Sequence, residues 1–343
     1  MWPHVCEECE PTPGEWRRVV PGVPPEVFII PKRIGVVVAF NDVFAVDPPG
    51  YLFGINIQTE TNFAATQIAA QNGIHSLKLW PRVPTMGADM SAVYRSDLDV
   101  IVVRPMAYAF SDWYGTCVEG QPLMWEDADY GETAEKLYAR FSDRPITVIL
   151  TGWENDHQAR GLGCTDGFWK WPGPAPYADY LRGILNERQR GVQAAREAHP
   201  DAELQVLHAI DVNSIDDEWN VVRDLIPLME NEPDLISLSY WKWGEHGITE
   251  MLDYIQAYSG LPRGRIFIGE IGGPEEKQYD RIVAGVTEAM EWGCRLAYVW
   301  HWRQAWPGNM GLWKKNEANE FTGEATEGMR AIQELIELYY EED

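Results

Sequence analysis

The chain of 343 residues is 45% hydrophobic, enough for one large core, and its 28 Lys plus Arg against 53 Asp plus Glu give a formal charge of −25. So acidic a chain argues against a nucleic-acid partner, because such binding rests on neutralising phosphates. No run of 18 apolar residues occurs, so no membrane partner is expected, and the opening Met1-Trp2-Pro3-His4 lacks the basic start and apolar stretch of a signal peptide.

The expectation is a soluble protein, secreted or extracellular, with any leader absent from this chain; cytoplasmic location and any oligomeric state stay open. In chain order, residues 1–50 are rich in Pro and read as an N-terminal extension packed on a barrel, with a hairpin whose arms Val36–Phe40 and Val43–Val46 flank Asn41-Asp42. From Tyr51 onward short apolar runs alternate with helical patterns, the signature of βα repetition and a parallel sheet. Strands are predicted at Leu52–Ile57, Ser76–Trp80, Val100–Arg104, Ile146–Thr151, Gln205–Ile210, Leu235–Tyr240, Ile266–Gly269 and Leu296–Trp300. Helices are predicted over 62–72, 133–141, 177–198, 219–230, 249–258, 279–292 and 326–340, with 85–97 the weakest segment. Eight strands is the number that closes a (β/α)8 barrel, so residues 51–343 are expected to form a TIM barrel with long βα loops.

Five cysteines comprise the close pair Cys6 and Cys9 and the scattered Cys117, Cys164 and Cys294. One C-x-x-C supplies half of the ligands a structural zinc needs, so a local disulfide or free thiols is the expectation there, and Cys117 with Cys164 is a second candidate pair. Sixteen tryptophans are several times ordinary usage. A buried indole N–H needs a partner, whereas a sugar ring offers the indole a flat apolar C–H face, so a Trp-rich cleft favours a carbohydrate substrate.

The chemistry concentrates at two strand ends. The fourth predicted strand emits Gly152-Trp153-Glu154-Asn155-Asp156-His157, and the seventh emits Glu270-Ile271-Gly272-Gly273-Pro274. Active sites of this fold lie at the C-terminal ends of the strands. Two carboxylates there can flank one glycosidic bond, one protonating the leaving oxygen and the other attacking the anomeric carbon; in retaining cleavage they stand roughly 5–5.5 Å apart. At that separation their pKa values are pushed apart, which keeps one protonated and one ionised.

With its glutamates 116 residues apart, after the fourth and seventh strands, the chain resembles the clan A retaining glycoside hydrolases. That resemblance implies Glu154 as acid/base, Glu270 as nucleophile, and no cofactor. It also implies that Tyr240, at the end of the sixth strand, hydrogen-bonds the nucleophile, and that Trp300, at the end of the eighth, forms the floor under the sugar. Many families of the clan carry Asn immediately before the acid/base; here Trp153 stands there and Asn155 follows. Trp153, Asn155, Trp80, His208 and Trp241 are further substrate-binding candidates by position. Lys78, Asp211, Asn56 and Gln58 are rim residues able to bond sugar hydroxyls. The linkage implied by the resemblance is β.

Two other readings compete. A glycan-binding barrel without catalysis would keep the tryptophans and need neither glutamate. A metal-dependent hydrolase would want His-rich strand ends, but there are seven His in all and no paired spacing, so no metal is expected. No G-x-S-x-G turn for a nucleophilic serine and no Gly-rich phosphate loop is present.

Overall fold

The computed structural model describes residues 30–38, 74–79, 98–104, 117–118, 121–122, 129–152, 154–160, 175–215, 219–241, 246–300, 312–315 and 321–339. Eight of its strands form the barrel: β1 (Arg33–Val38), β2 (Ser76–Leu79), β3 (Val100–Val103), β4 (Thr147–Thr151), β5 (Gln205–Val212), β6 (Leu235–Tyr240), β7 (Ile266–Ile271) and β8 (Leu296–Val299). They run parallel in chain order around a closed ring. The ring closes where Arg33–Val36 pairs with Leu296–Val299 on one side and Val36–Val38 pairs with Leu77–Leu79 on the other.

That closure corrects the reading of the N-terminus. The first barrel strand is Arg33–Val38 rather than Leu52–Ile57, which lies outside the described residues, so the barrel begins inside the segment read as an extension. Val36 has a parallel partner on each edge, Leu77 and Val299, while residues 39–46, which carry most of the expected hairpin, lie outside the described residues. The other seven strands fall where the apolar runs put them, to within two residues at each end.

Alternation along these strands builds two apolar layers. Val100, Val102, Ile149, Leu207, Ala209, Leu235, Phe267, Leu296 and Tyr298 point inward and pack together as the barrel core. Their neighbours in sequence, such as Ile101, Val148, Val206, Ile236 and Ile268, face outward into the helix layer. Each such side chain contributes about 1.5–3 kcal/mol through burial.

Among the described residues the helices are α1 (Tyr130–Phe141), α2 (Asn155–Ala159), α3 (Ala178–Ala198), α4 (Val221–Asp224), α5 (Ile248–Ser259), α6 (Gln278–Trp292) and α7 (Glu327–Tyr339). Asp129 caps α1 by accepting from the Glu132 N–H at 2.9 Å, and Gly260, at φ 73°, takes the left-handed conformation that ends α5. The helix predicted over 219–230 is instead the short α4 and a 3-10 turn, Ile226–Leu228. Pro227 has no N–H to continue an α-helix, and its ring clashes with the preceding turn. Predicted helix 62–72 lies outside the described residues, as do Cys6, Cys9 and Cys164, while Cys294 is a buried free thiol.

Candidate active site

The strand ends that follow the apolar layer carry a polar set. Lys78, Arg104, Glu154, Asp211, Ser239 and Glu270 are all buried. They come from six consecutive positions of the ring: β2, the end of β3, the turn after β4, then β5, β6 and β7.

Glu270 reaches this set through a break in the pleat. Along β7 the pairing with β6 runs Leu238 to Ile268 and then Ser239 to Glu270, and the pairing with β8 runs Ala297 to Ile268 and then Val299 to Ile271. Gly269 is the extra residue. Strict alternation from the inward Phe267 would send Glu270 out among the helices; the bulge turns it inward and leaves Ile271 in the outer layer. A Cβ at residue 269 would lie 1.9 Å from the Ser237 hydroxyl oxygen, so a side chain there would displace Ser237.

Glu270 Oε1 accepts from Lys78 Nζ at 2.9 Å. The same ammonium donates to Asp211 Oδ2 at 3.1 Å, and the Ser239 hydroxyl donates to Asp211 Oδ1 at 3.0 Å. Burial raises the Glu270 pKa above the ordinary carboxylate range; Lys78 opposes that rise, the charge of Glu154 adds to it, and Arg104 opposes it. Burial likewise pushes Asp211 up to about 7, against the pull of Lys78 and with the push of Glu270 and Glu154. For Lys78 burial works downward, but its two carboxylates outweigh it and the ammonium is held above its usual value.

Glu154 is presented differently. It lies at φ 35° and ψ 66°, the only non-glycine residue with positive φ among the described residues. Holding a non-glycine residue in that conformation costs about 1–3 kcal/mol, a strain that concentrates at working sites. The next residues hold the turn. Asn155 accepts from the Asp211 N–H at 3.2 Å and donates to Gln158 at 2.7 Å, while Asp156 accepts from the N–H groups of Asn213 at 2.9 Å and Val221 at 3.0 Å. His157 Nε2 stands 2.9 Å from Glu154 Oε2 and 2.8 Å from the Asn213 side-chain amide.

Trp241 and Trp300 follow the inward residues of β6 and β8 and meet edge to face, with ring centroids 5.7 Å apart. Trp300 also packs on the barrel-core layer. A Cβ on Gly272 would sit 3.0 Å from the Trp300 carbonyl and 3.5 Å from the Trp241 ring, so the turn after β7 runs against both.

Three expected substrate contacts are corrected. His208 lies between the inward Leu207 and Ala209, so its ring faces the helices, 3.0 Å from Gln189 and edge-on to Tyr130. Burial, helped by Arg188, lowers its pKa to about 3 and keeps it neutral. Tyr240, one residue beyond the inward Ser239, packs in the outer layer, and its hydroxyl donates to the His246 carbonyl at 2.6 Å rather than to Glu270. The fully buried Asn155 side chain is engaged within the turn by Asp211 and Gln158. Trp80 and Trp153 lie outside the described residues, as do Asn56 and Gln58.

Position at predicted strand ends named Lys78 and Asp211 as rim residues but gave no reason to join them. For His157 a signal was present, since Glu154-x-x-His157 sets the two one helical turn apart. Among the described residues no three His, Cys, Asp or Glu side chains converge as a metal ion would require.

No family model and no curated protein matches the chain. Its backbone is similar to solved glycoside hydrolases. A β-glycosidase is 15% identical, with 91% of this chain and 97% of that one covered at a TM-score of 0.55. The family 1 β-glucosidase from Thermotoga maritima is 11% identical, with coverage of 92% and 99% and a TM-score of 0.56. A xyloglucan-specific endo-β-1,4-glucanase from a metagenomic library is 13% identical, with coverage of 89% and 96% and a TM-score of 0.52. At these identities what is shared is the (β/α)8 barrel fold.

Proposed function

We propose that this chain is a glycoside hydrolase that cleaves β-linked oligo- or polysaccharide with retention of configuration. The observation that carries the reading is the pair of buried glutamates that the ends of β4 and β7 bring to one polar cluster, with the charge of Glu154 bearing on Glu270, in opposite surroundings. Burial raises the Glu270 pKa, and the ammonium it faces opposes that rise and favours the ionised form a nucleophile requires. Glu154 stands on a strained turn beside the His157 imidazole and takes the proton-exchanging role.

In the first step a Glu270 oxygen attacks the anomeric carbon while Glu154 protonates the departing oxygen. In the second, Glu154 takes a proton from water, which releases the sugar. Trp241 and Trp300 offer the apolar face on which a sugar ring stacks. The substrate class draws support from the glycosidase structures with the same fold, and β linkage from the β-glucosidase and endo-β-1,4-glucanase among them.

The test is hydrolysis of a panel of β-linked oligosaccharides and 4-nitrophenyl β-glycosides, followed by proton NMR of the first-formed product. Retention of the anomeric configuration is expected. Inversion would remove Glu270 as nucleophile, and sugar binding without turnover of any panel member would favour a glycan-binding barrel.

A further inference from the structure

Lys78 serves two buried carboxylates, yet the reaction proposed above uses only one of them. Its Nζ is 2.9 Å from Glu270 and 3.1 Å from Asp211. Asp211 is fixed from several sides: Ser239 holds its other oxygen, and its backbone N–H donates to Asn155. Among the described residues, the charged groups bearing on it are Lys78 from β2, Glu270 from β7 and Glu154 from the turn after β4, while Arg104 at the end of β3 acts on Glu270. The resting site thus holds a second counter-ion for one ammonium. Its use becomes apparent when the charge on Glu270 changes.

Resting on the glycosidase reading, we propose that Asp211 is a positioning residue that takes over the Lys78 ammonium when Glu270 becomes a neutral glycosyl ester. In the first step the bond from the anomeric carbon to the leaving oxygen breaks with its electron pair on that oxygen, which takes the proton of Glu154. A Glu270 oxygen bonds to the anomeric carbon, so the negative charge passes from Glu270 to Glu154. Lys78 keeps its proton and loses the nearer of its two counter-ions. A buried ammonium left unpaired is costly, and Asp211 is already at hydrogen-bond distance.

Above its own titration Asp211 enters the step ionised; below it, the proton it holds is lost to water. In the second step water attacks the anomeric carbon and gives its proton to Glu154. The ester bond then breaks with its electron pair on Glu270, and Lys78 turns back to it. Asp211 touches no reacting atom.

The variant Glu270→Gln tests this without turnover, because its amide has the neutral charge of the ester. Carbon-detected NMR of protein labelled at Asp carboxyls reads the Asp211 titration, identified as the signal missing from Asp211→Asn. In Glu270→Gln the midpoint is expected to fall by about one pH unit or more relative to wild type. An unchanged or higher midpoint overturns the proposal. If Glu270→Gln does not fold cooperatively, Asp211→Asn carries the test with Glu carboxyl labels: the Glu270 titration moves to lower pH as Lys78 becomes its own, and no movement overturns the proposal.

In stopped-flow assays with a dinitrophenyl β-glycoside, Asp211→Asn slows formation of the glycosyl-enzyme more than its breakdown, so the burst shrinks. A merely structural defect slows both steps alike and leaves the burst in proportion. Lack of any turnover in the wild type would count against the glycosidase reading alone, since the NMR titrations decide the exchange of ion partners independently.

Discussion

The ends of β4 and β7 each deliver a glutamate to the barrel mouth, and they differ in how the backbone does it and in what waits there. At β7 a one-residue bulge at Gly269 rotates Glu270 inward against Lys78, inside a pleat whose other residues keep their alternation. At β4 the strand stops, and Glu154 sits on a left-handed turn held by Asn155 and Asp156, beside His157. One residue type is thus given a buried ammonium in one place and an imidazole neighbour in the other. The strand end with the ammonium suits an anion that attacks, and the one with the imidazole suits an acid that becomes a base.

The comparison breaks first at Glu270. Glu270→Gln removes the attacking anion and is expected to lower kcat by roughly 10³-fold or more on every substrate, read by steady-state hydrolysis. Glu154→Gln sharpens it. Loss of the general acid should cost about 10²–10⁴ on glycosides with poor leaving groups and far less on a dinitrophenyl glycoside, whose phenolate needs no proton. Equal losses on both substrate types would deny the two glutamates separate roles.

Lys78→Met strips the cation from the β7 side alone. It leaves Glu270 and Asp211 buried without their shared partner, for an expected loss of about 3–5 kcal/mol in chemical denaturation. The smallest effect is on pH. Asp211 is pushed up to about 7 in the fold, above the ordinary carboxylate value of about 4. The folded state therefore binds more protons, and this group's contribution to stability, full below about pH 4, is lost as pH rises through about 7. Asp211→Asn abolishes that dependence, so its Tm relative to wild type should rise by roughly a few degrees between pH 4 and pH 8.

Seven of the eight barrel strands were legible because each is a short apolar run bounded by turn or helix signals, and the two glutamates were legible because each lies within three residues of the end of such a run. Arg33–Val38 was not, since a run of Val before Asn41-Asp42 reads as a hairpin arm, and its place in the barrel shows only in the distant partners Leu77 and Val299. Tyr240, at the end of β6, and His208, midway along β5, lie on the wrong side of the pleat. Glu270 is the converse: strict alternation would have sent it outward, and the bulge that reverses this shows in the sequence only as one glycine. The Lys78, Asp211 and Glu270 constellation joins residues 133 and 192 positions apart, beyond the reach of local pattern.

The most direct test of the two-glutamate account is to trap the covalent intermediate. A 2,4-dinitrophenyl 2-deoxy-2-fluoro-β-glycoside, matched to the best substrate of the panel, should inactivate the enzyme with release of one dinitrophenolate per chain. Peptide mass spectrometry should then find the fluorosugar on Glu270. A label on any other residue, or continued turnover with inversion and no label, would contradict the assignment of Glu270 as nucleophile and Glu154 as its acid/base.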